Sequence, residues 1–252
     1  MPIRKIIGIG GGEIGRKGYQ IETTSIDKEI IRLSGKKHPK FLFIPTASKD
    51  SKTYIDLAKK HFSVRLGCYF DSLCVVKEFL SQRVIARKIL GADIIYVGGG
   101  NTMKMMQIWR RFGIDKLLRQ AYNRGKVMSG LSAGAICWFR YGLSDSRLFQ
   151  KGKSKDYMRV RGLGLVNLTV SPHHLREQSR RVGLINLMKK TPGVAVALDD
   201  FSALEIINDK FRVITSKNKS GAHKVFKKKE RVYYESICKS TDFKELITLI
   251  RK

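Results

Sequence analysis

Short apolar runs that stop at glycine or proline alternate with amphipathic stretches through the first half of the chain. Residues 5–9 (Lys-Ile-Ile-Gly-Ile) form a β-like run that ends in Gly10-Gly11-Gly12. Residues 41–44 (Phe-Leu-Phe-Ile) form a second, stopped by Pro45, and residues 92–97 (Ala-Asp-Ile-Ile-Tyr-Val) a third, ending in Gly98-Gly99-Gly100. Val127-Met128 leads into a further glycine turn at Gly130. Helical periodicity fills the gaps: Ile114, Leu117, Leu118 and Ala121 recur at i, i+3, i+4 and i+7, with Gly125 as a C-terminal stop. Val84, Ile85 and Ile89 make another apolar face ahead of Gly91. Strands that are apolar throughout and alternate with helices predict an α/β fold with a mostly parallel sheet covered on both faces. Ligands of such sheets sit beyond the carboxyl ends of the strands, where the glycine segments 10–12, 98–100 and 130–134 fall. The second half is richer in β signals, at 164–171, 194–198, 204–207, 211–214 and 231–235, before an amphipathic closing helix (Phe243, Leu246, Ile247, Ile250). The chain contains no repeat, low-complexity tract or Pro/Ser-rich linker, which predicts one domain over residues 1–252.

Composition narrows this picture. The 252 residues are 42% apolar, enough for a sizeable core. No window offers the roughly 18 unbroken apolar residues of a membrane span, and the N-terminus runs straight into a strand without an apolar leader. Cys68, Cys74, Cys137 and Cys238 are scattered, with neither a C-x-x-C pair nor zinc-like spacing. The expectation is a cytoplasmic protein with reduced thiols, away from membranes. Charge is the unusual property: 50 Lys+Arg against 21 Asp+Glu leave a net +29, a field that attracts anions. The densest basic run, residues 217–231, reads as a solvated hairpin, and no motif interleaves basic residues with stacking aromatics. Nucleic acid is therefore not an expected partner.

Gly130-Leu131-Ser132-Ala133-Gly134 matches the G-x-S-x-G nucleophile elbow. A serine at the tip of a sharp strand-to-helix turn needs tiny residues two positions away on each side, where the backbones pass closely. The turn would lift the Ser132 hydroxyl off the sheet and place the Ala133 N–H to stabilise an oxyanion. The bland alternative is a tight turn with Ser132 as a helix cap. A serine nucleophile needs a base, and the base an orienting group. His38 and His61 lie in polar or helical, surface-like stretches, and His223 lies in the basic run. His173 and His174 instead end a strand-like segment, and Asp199-Asp200 follow another. The order Ser, His, Asp differs from the Ser, Asp/Glu, His of α/β-hydrolases, which argues against an ordinary esterase or lipase.

The segments Tyr96-Val-Gly-Gly-Gly-Asn-Thr102, Gly130-Leu-Ser-Ala-Gly-Ala135 and Ser171-Pro-His173, with Asp199-Asp200 beyond, resemble those of peptidase E and its cyanophycinase-like relatives. The similarity runs from about Ile6 to about Ile214 and takes in Gly142-Leu-Ser-Asp145. It implies a class I glutamine amidotransferase-like (flavodoxin-like) fold with extra C-terminal strands. It also implies Ser132 as nucleophile, His173 as base, and Asp200, with Asp199 as alternative, as the acid. Ala133 and either Gly99 or Gly100 would supply the oxyanion donors. Asn101 and Thr102 would shape that glycine loop and begin the next helix. Asn101, Asp145, Arg176 and Arg180 would line the substrate site, the arginines by binding an aspartyl carboxylate and Asp145 by holding its ammonium. The implied activity is a serine peptidase acting on small peptides, dipeptides with N-terminal aspartate above all, without metal or cofactor; a homodimer is compatible with it. The alternative within the class is a cyanophycinase-like exopeptidase or another small amide hydrolase.

Two rivals come from other classes. Gly10-Gly11-Gly12-Glu13-Ile14-Gly15 formally fits the dinucleotide-binding pattern G-x-G-x-x-G. That reading needs an acidic residue closing the second strand, where this chain has Pro45-Thr46-Ala47-Ser48. The net charge would suit a non-enzymatic anion or nucleic-acid binder on the same fold, against which the complete set Ser132, His173 and Asp200 counts.

Overall fold

The computed structural model of the chain describes residues 2–149, 157–175 and 178–251. Its first sheet is built on five parallel strands, β1 (Lys5–Ile9), β2 (Lys40–Ile44), β3 (Tyr69–Ser72), β4 (Ile94–Val97) and β5 (Val127–Leu131), in the spatial order β1-β5-β4-β2-β3. Successive residues of these strands point to opposite faces, so runs such as Ile6-Ile7 and Phe41-Leu42-Phe43-Ile44 require a cover on each side. Below one face, α1 (Thr24–Leu33) and α2 (Lys52–Lys59) bury Ile26, Ile30 and Ala58 against Ile7, Phe41 and Phe43. Across the other, α3 (Gln82–Gly91), α4 (Thr102–Arg111) and α5 (Ile114–Asn123) pack Ile85, Trp109 and Leu118 on Ile6, Leu42 and Ile95.

The second half forms a separate six-stranded sheet and extends the first. β6 (Phe139–Ser144), β8 (Val166–Ser171) and β9 (Val194–Leu198) run parallel, flanked by antiparallel β7 (Met158–Arg161) on one edge and by β12 (Ala222–Lys228) and β13 (Arg231–Ile237) on the other. α7 (Gln178–Lys190) covers its outer face through Leu184 and Met188. Antiparallel β10 (Ser202–Ile207), β11 (Lys210–Thr215) and β14 (Lys244–Glu245) widen the first sheet beyond β1. The expected α/β class with added C-terminal strands is what the chain adopts, with the parallel strands divided between two sheets. The basic run is indeed a hairpin: Lys228 pairs with Arg231 across the β12–β13 turn.

Local departures have tertiary causes. The helix that follows the Ser132 turn is a single turn, α6 (Ala133–Ile136), because Phe139 already pairs with Val166 in the second sheet. The closing helix, α8 (Leu246–Ile250), excludes Phe243, since Lys244 and Glu245 pair with β11. His61 is not at the surface: it is 1% exposed, and its Nε2 lies 2.8 Å from the fully buried Asp27 carboxylate. Among the described residues, no helix is long and apolar enough to cross a membrane.

Candidate active site

The two sheets meet where their parallel strands end. The Ser132 N–H, just past β5, donates to Ile9 O of β1 at 3.0 Å, and the His173 N–H, just past β8, donates to Gly10 O at 3.2 Å. His174 N–H donates to Leu198 O of β9, and Phe201 N–H to Gly11 O. Three of these bonds tie residues distant in sequence to the end of β1, and the fourth joins the ends of β8 and β9.

At the elbow, Ser132 has φ 57° and ψ −108°, a conformation that costs an L-residue about 1–3 kcal/mol. The turn is held by Ala135 and Ile136 N–H groups donating to Ser132 O. The flanking glycines are sterically required: a Cβ on Gly130 would stand 2.6 Å from Val97 O, and one on Gly134 2.0 Å from the same oxygen. The spacing of G-x-S-x-G is therefore the footprint of strand β4 passing beneath the turn.

Three side chains line up across the seam. Ser132 Oγ lies 3.0 Å from His173 Nε2, and His173 Nδ1 lies 2.5 Å from Asp200 Oδ1. With an ionised carboxylate as acceptor, Nδ1–H donates to Asp200, leaving Nε2 to accept the Ser132 hydroxyl. His173 also takes a left-handed backbone, φ 54°, as does Phe201 after Asp200, φ 67°. The structure brings Asp200, not Asp199, against the histidine. Asp199 is turned into the protein, where its carboxylate accepts the Gly221 N–H at 2.9 Å and burial raises its pKa.

The glycines after β1 serve this juxtaposition. A Cβ on Gly11 would lie 1.8 Å from Asp200 Oδ1 and 2.4 Å from His173 Nδ1, and one on Gly10 would lie 2.2 Å from Asp199 O. No helix opens at this loop; α1 begins only at Thr24. The formal G-x-G-x-x-G pattern thus makes room for a histidine–carboxylate pair and lacks the helix N-terminus that would cradle a pyrophosphate.

The loop after β4 packs beside the serine; a Cβ on Gly99 would be 3.6 Å from Ser132 Cβ. Its N–H groups have different fates. Gly98 donates to Ile44 O at 3.1 Å, Gly99 to the Tyr54 hydroxyl at 3.3 Å, and Asn101 to Ala47 O at 2.8 Å. The N–H groups of Gly100 and Ala133 find no acceptor among the described residues. Gly100 has φ 135°, and a Cβ there would sit 2.3 Å from Ala47 O, so only glycine fits.

The expected substrate-contacting residues divide differently. Asn101 is buried and caps α4: its Oδ1 accepts the Lys104 N–H at 3.0 Å and its amide donates to Ser146 O. Asp145 and Arg180 face each other, Oδ2 to Nη2 3.5 Å, with Arg180 buried and stacked over the Tyr157 ring. Arg176 lies outside the described residues. Sequence reasoning passed over Tyr54, whose only local signal is an aromatic residue in the first turn of α2, and Gly11, whose role depends on residues some 160–190 positions away. A cavity of about 620 Å³ opens beside the histidine, lined by Leu131, His173, Asp200, Phe201, Glu13 and Tyr19 among others. The thiols offer no rival nucleophile nearby: Cys137, buried in the elbow, has its pKa raised well above the usual range by that burial.

Known proteins resemble this chain over most of its length. The model of peptidase family S51 matches residues 6–214. The chain is 34% identical over 227 residues to the uncharacterized peptidase YgaJ of Bacillus subtilis, covering 88% of this chain and 92% of that one. Among solved structures, a peptidase from an acI-B1 actinobacterium superposes with a TM-score of 0.70 at 19% identity, over 96% of this chain and 97% of its own. A candidate peptidase E from Listeria monocytogenes EGD-e superposes with a TM-score of 0.62 at 21% identity, over 84% and 98%.

Proposed function

The chain belongs to peptidase family S51, and from that premise we propose that it is a serine peptidase that hydrolyses short peptides with an N-terminal aspartate. The observation that carries the serine mechanism is the Ser132–His173–Asp200 hydrogen-bond chain at a strained elbow. Ser132 Oγ attacks the scissile carbonyl while His173 Nε2 takes its proton; Asp200 holds the imidazole tautomer and balances the imidazolium charge. The oxyanion forms between the N–H groups of Ala133 and Gly100, which have no other acceptor among the described residues. His173 then protonates the leaving amine, and water, deprotonated in turn by His173, hydrolyses the acyl-enzyme. The aspartate preference is supported by the resemblance of the glycine-loop, elbow and histidine motifs to those of peptidase E.

Intact-mass labelling with a fluorophosphonate tests the nucleophile. The expected result is one adduct on the wild type and none on Ser132→Ala, with Ser132→Ala and His173→Ala each losing most activity, non-additively. Full peptidase activity in Ser132→Ala ends this account. A panel of Asp-X, Glu-X and β-Asp-Arg dipeptides and acyl esters tests the substrate. Preference for Asp-X is expected; preference for β-Asp-Arg would point to a cyanophycinase-like exopeptidase.

A further inference from the structure

Three consecutive glycines, Gly98-Gly99-Gly100, make the loop beside Ser132, and such a stretch has no side chain of its own to hold it. Its shape must come from outside. Two of its ties are backbone to backbone: Gly98 N–H to Ile44 O and Asn101 N–H to Ala47 O. Between them a single side chain intervenes, the Tyr54 hydroxyl, which accepts the Gly99 N–H at 3.3 Å. Among the described residues, four successive N–H groups therefore run tied, tied, untied, tied, and the untied one belongs to Gly100.

The hydroxyl is delivered from a rigid base. Tyr54 stands in the first turn of α2, and its ring packs edge-on against the buried Phe43 ring, centroids 5.1 Å apart. Gly98 closes over that ring so tightly that a Cβ there would lie 2.9 Å from Tyr54 Cε1. Resting on the serine-peptidase reading above, we propose that Tyr54 is a positioning residue for the oxyanion hole. By accepting the Gly99 N–H, it holds the loop in the conformation that leaves the Gly100 N–H available to the developing oxyanion. Burial raises the phenol pKa, so the group stays neutral at working pH. A phenolate there would oppose the negative charge that forms next to it.

Tyr54→Phe keeps the ring and removes the acceptor. Without it the Gly99 N–H loses its partner, and the glycine loop samples conformations in which the Gly100 N–H is misdirected. The expected result is a fall in kcat of about 10- to 100-fold, with KM within about twofold, since the oxyanion is made only in the transition state. The same variant should react with a fluorophosphonate more slowly by a similar factor while still labelling to completion. Wild-type kcat and labelling rate would overturn the proposal. So would incomplete labelling at an unchanged rate, the mark of a partly misfolded population with a normal hole. Ser132→Ala, run in parallel, separates the two levels of the argument: if it fails to label while Tyr54→Phe matches wild type, only the role of Tyr54 falls. If Ser132→Ala labels normally, the serine reading falls first.

Discussion

Ser132, His173 and Phe201 all hold left-handed backbone angles, and each sits at the point where a strand of one sheet reaches the other. Strain of this kind persists only where the surroundings over-determine it; here backbone bonds to Ile9, Gly10 and Gly11 supply that constraint. The serine was legible in the sequence because its elbow is local: five residues contain both the strained position and the small neighbours it needs. Its acid was not, since Asp199 and Asp200 are adjacent and point to opposite sides. The structure places Asp200 Oδ1 at the histidine and Asp199 under a Gly221 N–H. Asp200→Asn should therefore lower kcat by about 10³-fold or more, as expected when the imidazole loses its tautomer partner. Asp199→Asn should cost less than about tenfold. Steady-state kinetics of the two variants on one substrate checks the assignment, and equal losses would contradict it.

Among the elements, the strands β1, β2, β4, β8 and β9 and the helices α3 and α5 were readable from their apolar patterns because each buries a continuous face. The parallel strands β3 and β6 were not. β6 begins three residues after the one-turn α6, because Phe139 pairs with β8. α4 shows how an element serves the site indirectly: its cap, Asn101, ends the glycine loop and joins it to a helix that buries Met105, Met106 and Trp109. The expectation that Asn101 shapes the glycine loop and begins the next helix is met by this cap, and both of its polar groups are engaged within the fold. Asn101→Ala should lower stability by about 1 kcal/mol, with Asn101→Asp retaining most of it by capping the same N–H. Chemical denaturation of the pair measures this, and an unperturbed Asn101→Ala would show the cap to be dispensable.

For the whole molecule, a histidine next to the site contributes to acid lability. His174 is buried beside Tyr234, His223, Arg180 and Arg181, and burial first, then these positive neighbours, lower its pKa to about 4. Its unfolded value is about 6.5, so between those values the unfolded chain binds the extra proton. The stability this residue allows is complete above about pH 6.5 and is lost as pH falls toward 4. Unfolding at pH 7 and 4.5 should show a loss on the order of 1–2 kcal/mol that His174→Phe reduces; an identical acid limb in the variant would refute the assignment. By itself the sequence determined the α/β class, the glycine-ended strands and the Ser132 elbow, because these are written in periodicity and in contiguous residues. Only the tertiary structure decided which carboxylate meets His173, why Gly11 must be glycine, that Arg180 and Asp145 face each other, and that Tyr54 ties the Gly99 N–H. Those are contacts between segments joined at the seam of two sheets, and no spacing along the chain encodes which atoms a seam brings together.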